Sequence, residues 1–300
     1  MSESAIEIQD LHLSYGRKEV LAGVHLEVPL GSIFGFLGRN GAGKTTTIKA
    51  LLGLLRPRSG TCRVLGLDPQ HDSLEVRRRV GYMAEDQRMY GWMTVDQIVR
   101  WVASFYPNWD GPFTDHLLEV LQVDRQAKVK ALSKGQNSRL ALLLALGHRP
   151  KVVILDDPTL GLDPIARKEF LRHVIGLLQS HSVTVFFSSH LLYEIEPVAD
   201  YVAILDQGRI IKSARTLDLR EAVRRFVLAE ANGFDLGRVA GVLDVTREGD
   251  GLAVTVEDCD QAKRAQIQGG PARLIREVPL NLDEIFEAYV IGNRGKEASL

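Results

Sequence analysis

Residues 33–45 read Ile33-Phe34-Gly35-Phe36-Leu37-Gly38-Arg39-Asn40-Gly41-Ala42-Gly43-Lys44-Thr45. The first five are almost wholly apolar, as a strand buried on both faces should be. The apolar spacing after the glycines predicts a helix from Thr45 to about Leu55. A strand, a loop of the form G-x-x-x-x-G-K-T and a helix make a phosphate-binding loop, or P-loop. Its glycines let backbone N–H groups close round phosphates, and the helix N-terminus adds a dipole that favours anions. Lys44 brings a point charge to β- and γ-phosphates, and the Thr45 hydroxyl can ligate Mg²⁺. Gly38, Arg39, Asn40, Gly41, Ala42, Gly43, Lys44, Thr45 and Thr46 are therefore the candidate nucleotide-binding residues.

The composition around this loop is that of an ordinary globular chain. Its 300 residues are 45% hydrophobic and 25% charged, enough to bury a core without disulfides or metal staples. A formal net charge of −1 supplies no global basic field for nucleic acid, so no nucleic-acid partner is expected. Cys62 and Cys259 stand far apart, without the close spacing of a redox or metal pair, and read as free thiols. The N-terminus lacks the basic and apolar regions of a signal peptide, and no apolar run reaches a membrane span.

Upstream of the P-loop, Ile6 and Ile8 alternate with polar residues, a turn falls near Tyr15–Lys18, and Val20–Val28 is a second strand candidate. Downstream, a strand over 61–65 and a helix over 73–79 lead to Val80-Gly81-Tyr82-Met83. Periodicity is mostly helical from Thr94 to Leu146, interrupted at 106–112. Val152–Leu155, Val183–Phe187 and Val202–Leu205 read as buried strands, with a helix over 165–179. Strands alternating with helices predict an α/β sheet covered on both faces. After about Arg215 the texture changes to strands near 226–229, 242–247, 252–257 and 272–278, with helices over 260–266 and 282–290. This reads as a small β-α-β-β-α-β unit. The expected organisation is a main domain over 1–215, with a helical subdomain at about 88–148, and a small C-terminal α/β domain over 216–300.

Val152-Val153-Ile154-Leu155-Asp156-Asp157 pushes carboxylates out at the C-terminal end of a strand, where ligands of such sheets bind. Asp156 is the candidate Mg²⁺ ligand. Asp157 is placed to orient or deprotonate an attacking water. Leu132-Ser133-Lys134-Gly135-Gln136, Leu160-Gly161-Leu162-Asp163 and Ser189-His190 follow the same order as the motifs of one family. Over residues 5–215 the chain resembles the ATP-binding subunit of ABC transporters. Leu282-Asp283-Glu284-Ile285-Phe286 resembles the tail of the exporter-type members.

The resemblance implies a P-loop NTPase fold of the ABC ATPase type that hydrolyses ATP with Mg²⁺. It implies two subunits packed head to tail, either as a homo- or a heterodimer, on separate transmembrane permease subunits. The chain would then be cytoplasmic and peripheral on the inner face of the cell membrane. Ser133, Lys134, Gly135 and Gln136 would meet the partner's nucleotide in trans, with Ser133 opening a helix. Tyr15 would stack on adenine and His190 would bond the γ-phosphate, a catalytic role shared with Asp157.

Three positions depart from the family pattern. Lys134 stands where glycine is usual, and Asp157 where glutamate is usual. The γ-phosphate-sensing loop reads Glu85-Asp86-Gln87, so either Glu85 or Gln87 is its metal or water ligand. Tyr90-Gly91-Trp92-Met93 lies near the place where the family receives a permease. Two rival functions remain at this level. A soluble ABC ATPase acting on ribosomes or DNA would usually carry two P-loops or a long coiled coil, which this chain lacks. A weakly hydrolysing ATP-binding module is kept open by Asp157.

Overall fold

The computed structural model describes residues 4–179, 183–189, 192–229, 239–249, 251–268 and 273–292. Two compact units divide the chain. One takes the sequence up to residue 190 together with 198–213, and the other takes 191–197 together with everything from 214 onward.

The first unit holds two sheets. β1 (Ser4–Tyr15), β2 (Lys18–Pro29) and β4 (Ser59–Val64) form an antiparallel sheet in the order β2-β1-β4. β3 (Ile33–Leu37) passes into the second sheet with β5 (Val80–Met83), β6 (Val152–Asp156), β7 (Thr184–Ser189), β8 (Tyr201–Asp206) and β9 (Arg209–Arg215). Its order is β5-β6-β7-β3-β8-β9, and the five strands from β5 to β8 run parallel. In β6, Val152, Val153, Ile154 and Leu155 are all fully buried, as their unbroken apolar run requires. Phe34, Phe36 and Phe186 pack ring on ring across β3 and β7, with centroids 5.9 and 5.0 Å apart. Parallel register brings the carboxyl ends of β6, β7 and β3 side by side: Asp156 faces Ser188, and Leu37 faces Ser189.

The helix after the P-loop, α1 (Lys44–Leu51), ends sooner than its apolar spacing predicts. Gly53 turns the chain with φ +66°, where a Cβ would overlap Pro69 O. The left-handed glycine stops the helix. α2 (Ser73–Arg79) leads into β5.

Three helices fill the region between β5 and β6. α3 (Val95–Ala103) and α5 (Lys134–Leu146) each start with a reciprocal capping box, Thr94 with Gln97 and Ser133 with Gln136. α4 (Gly111–Val120) is capped by Asp110, whose Oδ1 accepts from Phe113 N at 2.9 Å. Tyr106 of the interrupting segment stacks at 4.1 Å on His148, which is buried just past α5. α6 (Pro164–Gln179) follows the loop after β6. β9, the edge strand of the parallel sheet, was not foreseen because half-exposed Arg209–Arg215 carries no buried run.

The second unit is built on an antiparallel sheet of β10 (Arg224–Ala229), β11 (Val242–Glu248), β12 (Gly251–Val256) and β13 (Arg273–Pro279), in the order β11-β12-β10-β13. Phe226, Leu228, Val245, Val254 and Val256 form its core with Ile267 of α9 (Gln261–Gln268). α10 (Leu282–Val290) buries Ile285, Phe286 and Tyr289. Two short helices, α7 (Leu192–Ile195) and α8 (Thr216–Ala222), complete it. The first helix of the expected β-α-β-β-α-β order would fall largely at 230–238, outside the described residues.

Candidate active site

Gly43 caps α1 in a left-handed conformation, φ +116°, and Gly41 has φ +82°. Side chains resist both values, so the P-loop path depends on these two glycines. A Cβ on Gly43 would come 2.7 Å from Leu21 Cδ2, and one on Gly38 2.7 Å from Leu205 O. The loop thus lies against β2 on one side and β8 on the other. Gly208, in the turn between β8 and β9, donates from its N–H to Ala42 O at 3.1 Å and accepts from Ala22 N at 2.9 Å. Gly208 is itself left-handed, and a Cβ there would overlap Val20 O.

Lys44 is 6% exposed and donates from Nζ to Gly38 O at 2.9 Å. Its Nζ also stands 3.6 Å from Asp157 Oδ2, a carboxylate as buried as itself. Asp157 adopts φ +42°, a left-handed value that aspartate tolerates better than most residues. Its N–H donates to Ser188 O at 3.1 Å and approaches Ser188 Oγ at 3.2 Å.

The Ser188 hydroxyl donates in turn to Asp156 Oδ1 at 2.6 Å. Asp156 is fully buried, and among the described residues its Oδ2 has no hydrogen-bond partner. Burial raises the pKa of this carboxyl above the ordinary range. The Ser188 and Thr45 hydroxyls oppose that rise, Asp157 adds to it, and Lys44 opposes it. Sequence reasoning missed Ser188 because β7 was read only to Phe187. Its signal was a polar pair ending an apolar run beside an aspartate-ending strand.

Burial pushes the Tyr82 phenol up to about 12, with the charges of Asp156 and then Glu85 adding to the shift. Glu85 is exposed and Gln87 half-buried. Tyr15 is 49% exposed at the end of β1, paired across the hairpin with Lys18. Ser133 and Gln136 close on each other: Gln136 N donates to Ser133 Oγ at 3.2 Å, and Ser133 N to Gln136 Oε1 at 2.9 Å. They are not bonded to Lys44 or Asp157. The structure therefore brings together Lys44, Thr45, Asp156 and Asp157. His190 lies outside the described residues.

The donors fit a Mg²⁺ nucleotide. Mg²⁺ is commonly held by one or two protein oxygens together with substrate phosphates. A buried carboxylate with an unpartnered oxygen, acted on by the Thr45 hydroxyl, offers that set. Among the described residues, no group of three or more His, Cys, Asp or Glu could hold a metal without such phosphates.

Residues 21–160 match the family model described as ABC transporter. The bacitracin transport ATP-binding protein BcrA of Bacillus licheniformis is 36% identical over 224 residues, covering 74% of this chain and 73% of its own. The ABC transporter ATP-binding protein YtrB of Bacillus subtilis (strain 168) is 26% identical over 290 residues, covering 96% and 99%. A solved ATP binding subunit of an ABC transporter superposes with TM-score 0.66 at 28% identity, over 73% of this chain and 92% of that one. The arrangement of β3, P-loop and α1 beside an aspartate-ending β6 thus has counterparts at both sequence and fold level. The chain belongs to the ABC transporter ATP-binding family, and it is a nucleotide-binding ATPase.

Proposed function

We propose that the chain is the motor subunit of an ABC exporter, closing on ATP as a head-to-tail dimer and driving a separate membrane permease. The observation that carries this reading is the convergence of Lys44 and Asp157 at the end of a P-loop, with Asp156 beside them. Lys44 and the N-terminal amides of α1 hold the phosphates. Asp157 accepts a proton from the water that attacks the γ-phosphorus, while the bond to the β–γ bridging oxygen breaks and ADP leaves. Mg²⁺, held by Thr45 and Asp156, neutralises phosphate charge when bound. Glu85 or Gln87 completes this side of the site. Tyr15 stacks on adenine, its exposed ring supplying the surface. His190 bonds the γ-phosphate.

Ser133 serves the nucleotide of a second subunit. Its Oγ accepts from Gln136 N, which leaves the hydroxyl proton to donate outward. Leu160 and Ile165 are 39% and 74% exposed beside this segment, apolar surface that a second subunit would cover.

A role in transport is supported by BcrA, whose name assigns it to bacitracin transport. No described helix is long and apolar enough to cross a membrane. Tyr90, Trp92, Trp101 and Phe105 form an aromatic ladder, tilted at Tyr90–Trp92 and edge-on at its other two contacts, 41–66% exposed and suited to receive a permease. The chain would then sit at the inner face of the membrane. The C-terminal unit would serve regulation or dimer contact.

The test is recovery of the full chain from its own cells. It should copurify with membranes, release phosphate from Mg²⁺–ATP and dimerise with ATP when Asp157 is changed to Asn. A monomer under those conditions would remove the dimer, and a chain found only with ribosomes or DNA would favour the rival reading.

A further inference from the structure

Lys134 opens α5, the end of a helix that disfavours a cation. Among the described residues it has no carboxylate partner, and its side chain is exposed. It nevertheless takes a defined path. A Cβ placed on Gly161 would overlap Lys134 Nζ, come 2.9 Å from Cε and lie 3.6 Å from Cδ. The lysine stem therefore lies across the bare face of Gly161, which holds φ +70°.

Gly161 belongs to the segment that carries the chain from Asp157 to α6. That segment is two successive tight turns: Leu160 N donates to Asp157 O at 3.0 Å, and Leu162 N to Thr159 O at 3.0 Å. Asp163 then caps α6, its Oδ1 accepting from Ile165 N and Ala166 N at 3.0 Å each. Further along, a Cβ on Gly135 would lie 3.7 Å from Ala166 Cβ, and Arg139 bonds Glu169 at 2.7 Å. Lys134 to Gly161, Gly135 to Ala166 and Arg139 to Glu169 are thus successive contacts along one α5–α6 seam. The first of them falls on the turns that start at Asp157.

We propose that Lys134 is a positioning residue, a strap from the head of α5 that holds the turns at 157–163 and through them the Asp157 carboxylate. The hydrolytic consequence rests on the reading of Asp157 given above; the strap itself does not. Glycine at position 134 could not make this contact. Replacing Gly161 would drive the strap off. The fit between the two positions is mutual, and it joins the segment assigned to a partner's nucleotide with the carboxylate assigned to this subunit's own.

The test uses the full chain in three forms, parent, Lys134→Ala and Lys134→Met, read by hydrogen–deuterium exchange and by steady-state ATP hydrolysis. Lys134→Ala should speed exchange of the Leu160 and Leu162 amides. It should lower kcat about tenfold, as displacements somewhat under about 1 Å do, with KM for ATP changed less than about twofold. Lys134→Met keeps most of the stem and should keep most of the amide protection. In a Gly161→Ala background the Lys134→Ala change should have little further effect, because the contact is already lost. Unchanged exchange in Lys134→Ala would overturn the strap. Faster exchange with unchanged kcat would overturn its positioning role. A parent chain without turnover, but with the same exchange pattern, would keep the strap and overturn the reading of Asp157.

Discussion

Lys44 Nζ lies 3.6 Å from Asp157 Oδ2, with both side chains less than a tenth exposed. The cation assigned to phosphate and the carboxylate assigned to water neutralise each other in a nearly dry pocket. On the proposed roles, an arriving phosphate would compete with Asp157 for Lys44 and free the carboxylate, which would couple binding to activation of the base through one amino group.

Lys44→Ala should abolish ATP turnover and weaken ATP binding about 10- to 100-fold, the range for losing a charge-assisted bond of about 1.5–3 kcal/mol. Isothermal titration with a slowly hydrolysed ATP analogue measures the affinity. Parent-like hydrolysis in this variant would remove the P-loop assignment.

Asp157 is one methylene shorter than the glutamate usual in the family. A shortfall on the order of 1 Å can cost about a hundredfold in rate. Asp157→Glu should raise single-turnover hydrolysis, and Asp157→Asn should remove what the parent has. Asparagine at the parent rate would move the base to Glu85 or to a partner chain.

His148 supplies an acid limit to stability. It is 5% exposed, and burial pushes its pKa down to about 4 against a weaker upward pull from the Val80 backbone. A folded pKa below the ordinary 6.5 means the contribution is whole above pH 6.5 and is lost as pH falls towards 4. The loss should reach about 3 kcal/mol, at about 1.4 kcal/mol per unit. Phenylalanine at this position keeps a ring against Tyr106 without a proton to bind, so His148→Phe should flatten the acid limb. Melting temperatures from pH 7 to 4 for the two forms decide it.

Cutting the chain after Arg215 should leave nucleotide binding in place but lower the melting temperature. Glu196, just past α7, accepts from Leu282 N at 3.2 Å and pairs with Arg220 at 3.2 Å. A fragment ending at 215 keeps α7 but loses these partners and α10. Ending the fragment at 215 with Leu192→Ser and Ile195→Ser, which make α7 polar, should recover part of the loss, read by thermal unfolding.

The P-loop was legible because one apolar run, two obligatory glycines and one lysine must occur in a fixed order to make it. Asp156 was legible for a similar reason, since an all-buried strand can end in a carboxylate only at its edge. Ser188 was harder to see. Its role depends on the register of β6 against β7, which neither strand's sequence states. The strained backbone of Asp157 and the path of Lys134 over Gly161 are likewise products of packing. α7 was missed because four residues are too few to display a helical period, and its partner α10 lies far along the chain. The helix after the P-loop was read too long because its apolar spacing continues past Gly53.

Gly208 lies outside the P-loop, yet its N–H and C=O fasten Ala42 to β2 through Ala22. The anion cradle is therefore anchored from behind by a turn encoded late in the sequence. A nascent chain that has emerged through Thr47 carries the whole motif but lacks its brace until the β8–β9 turn is made. Nucleotide would gain its full hold only near the end of that unit's synthesis, so a defect at this turn would present as one of ligand binding rather than of folding.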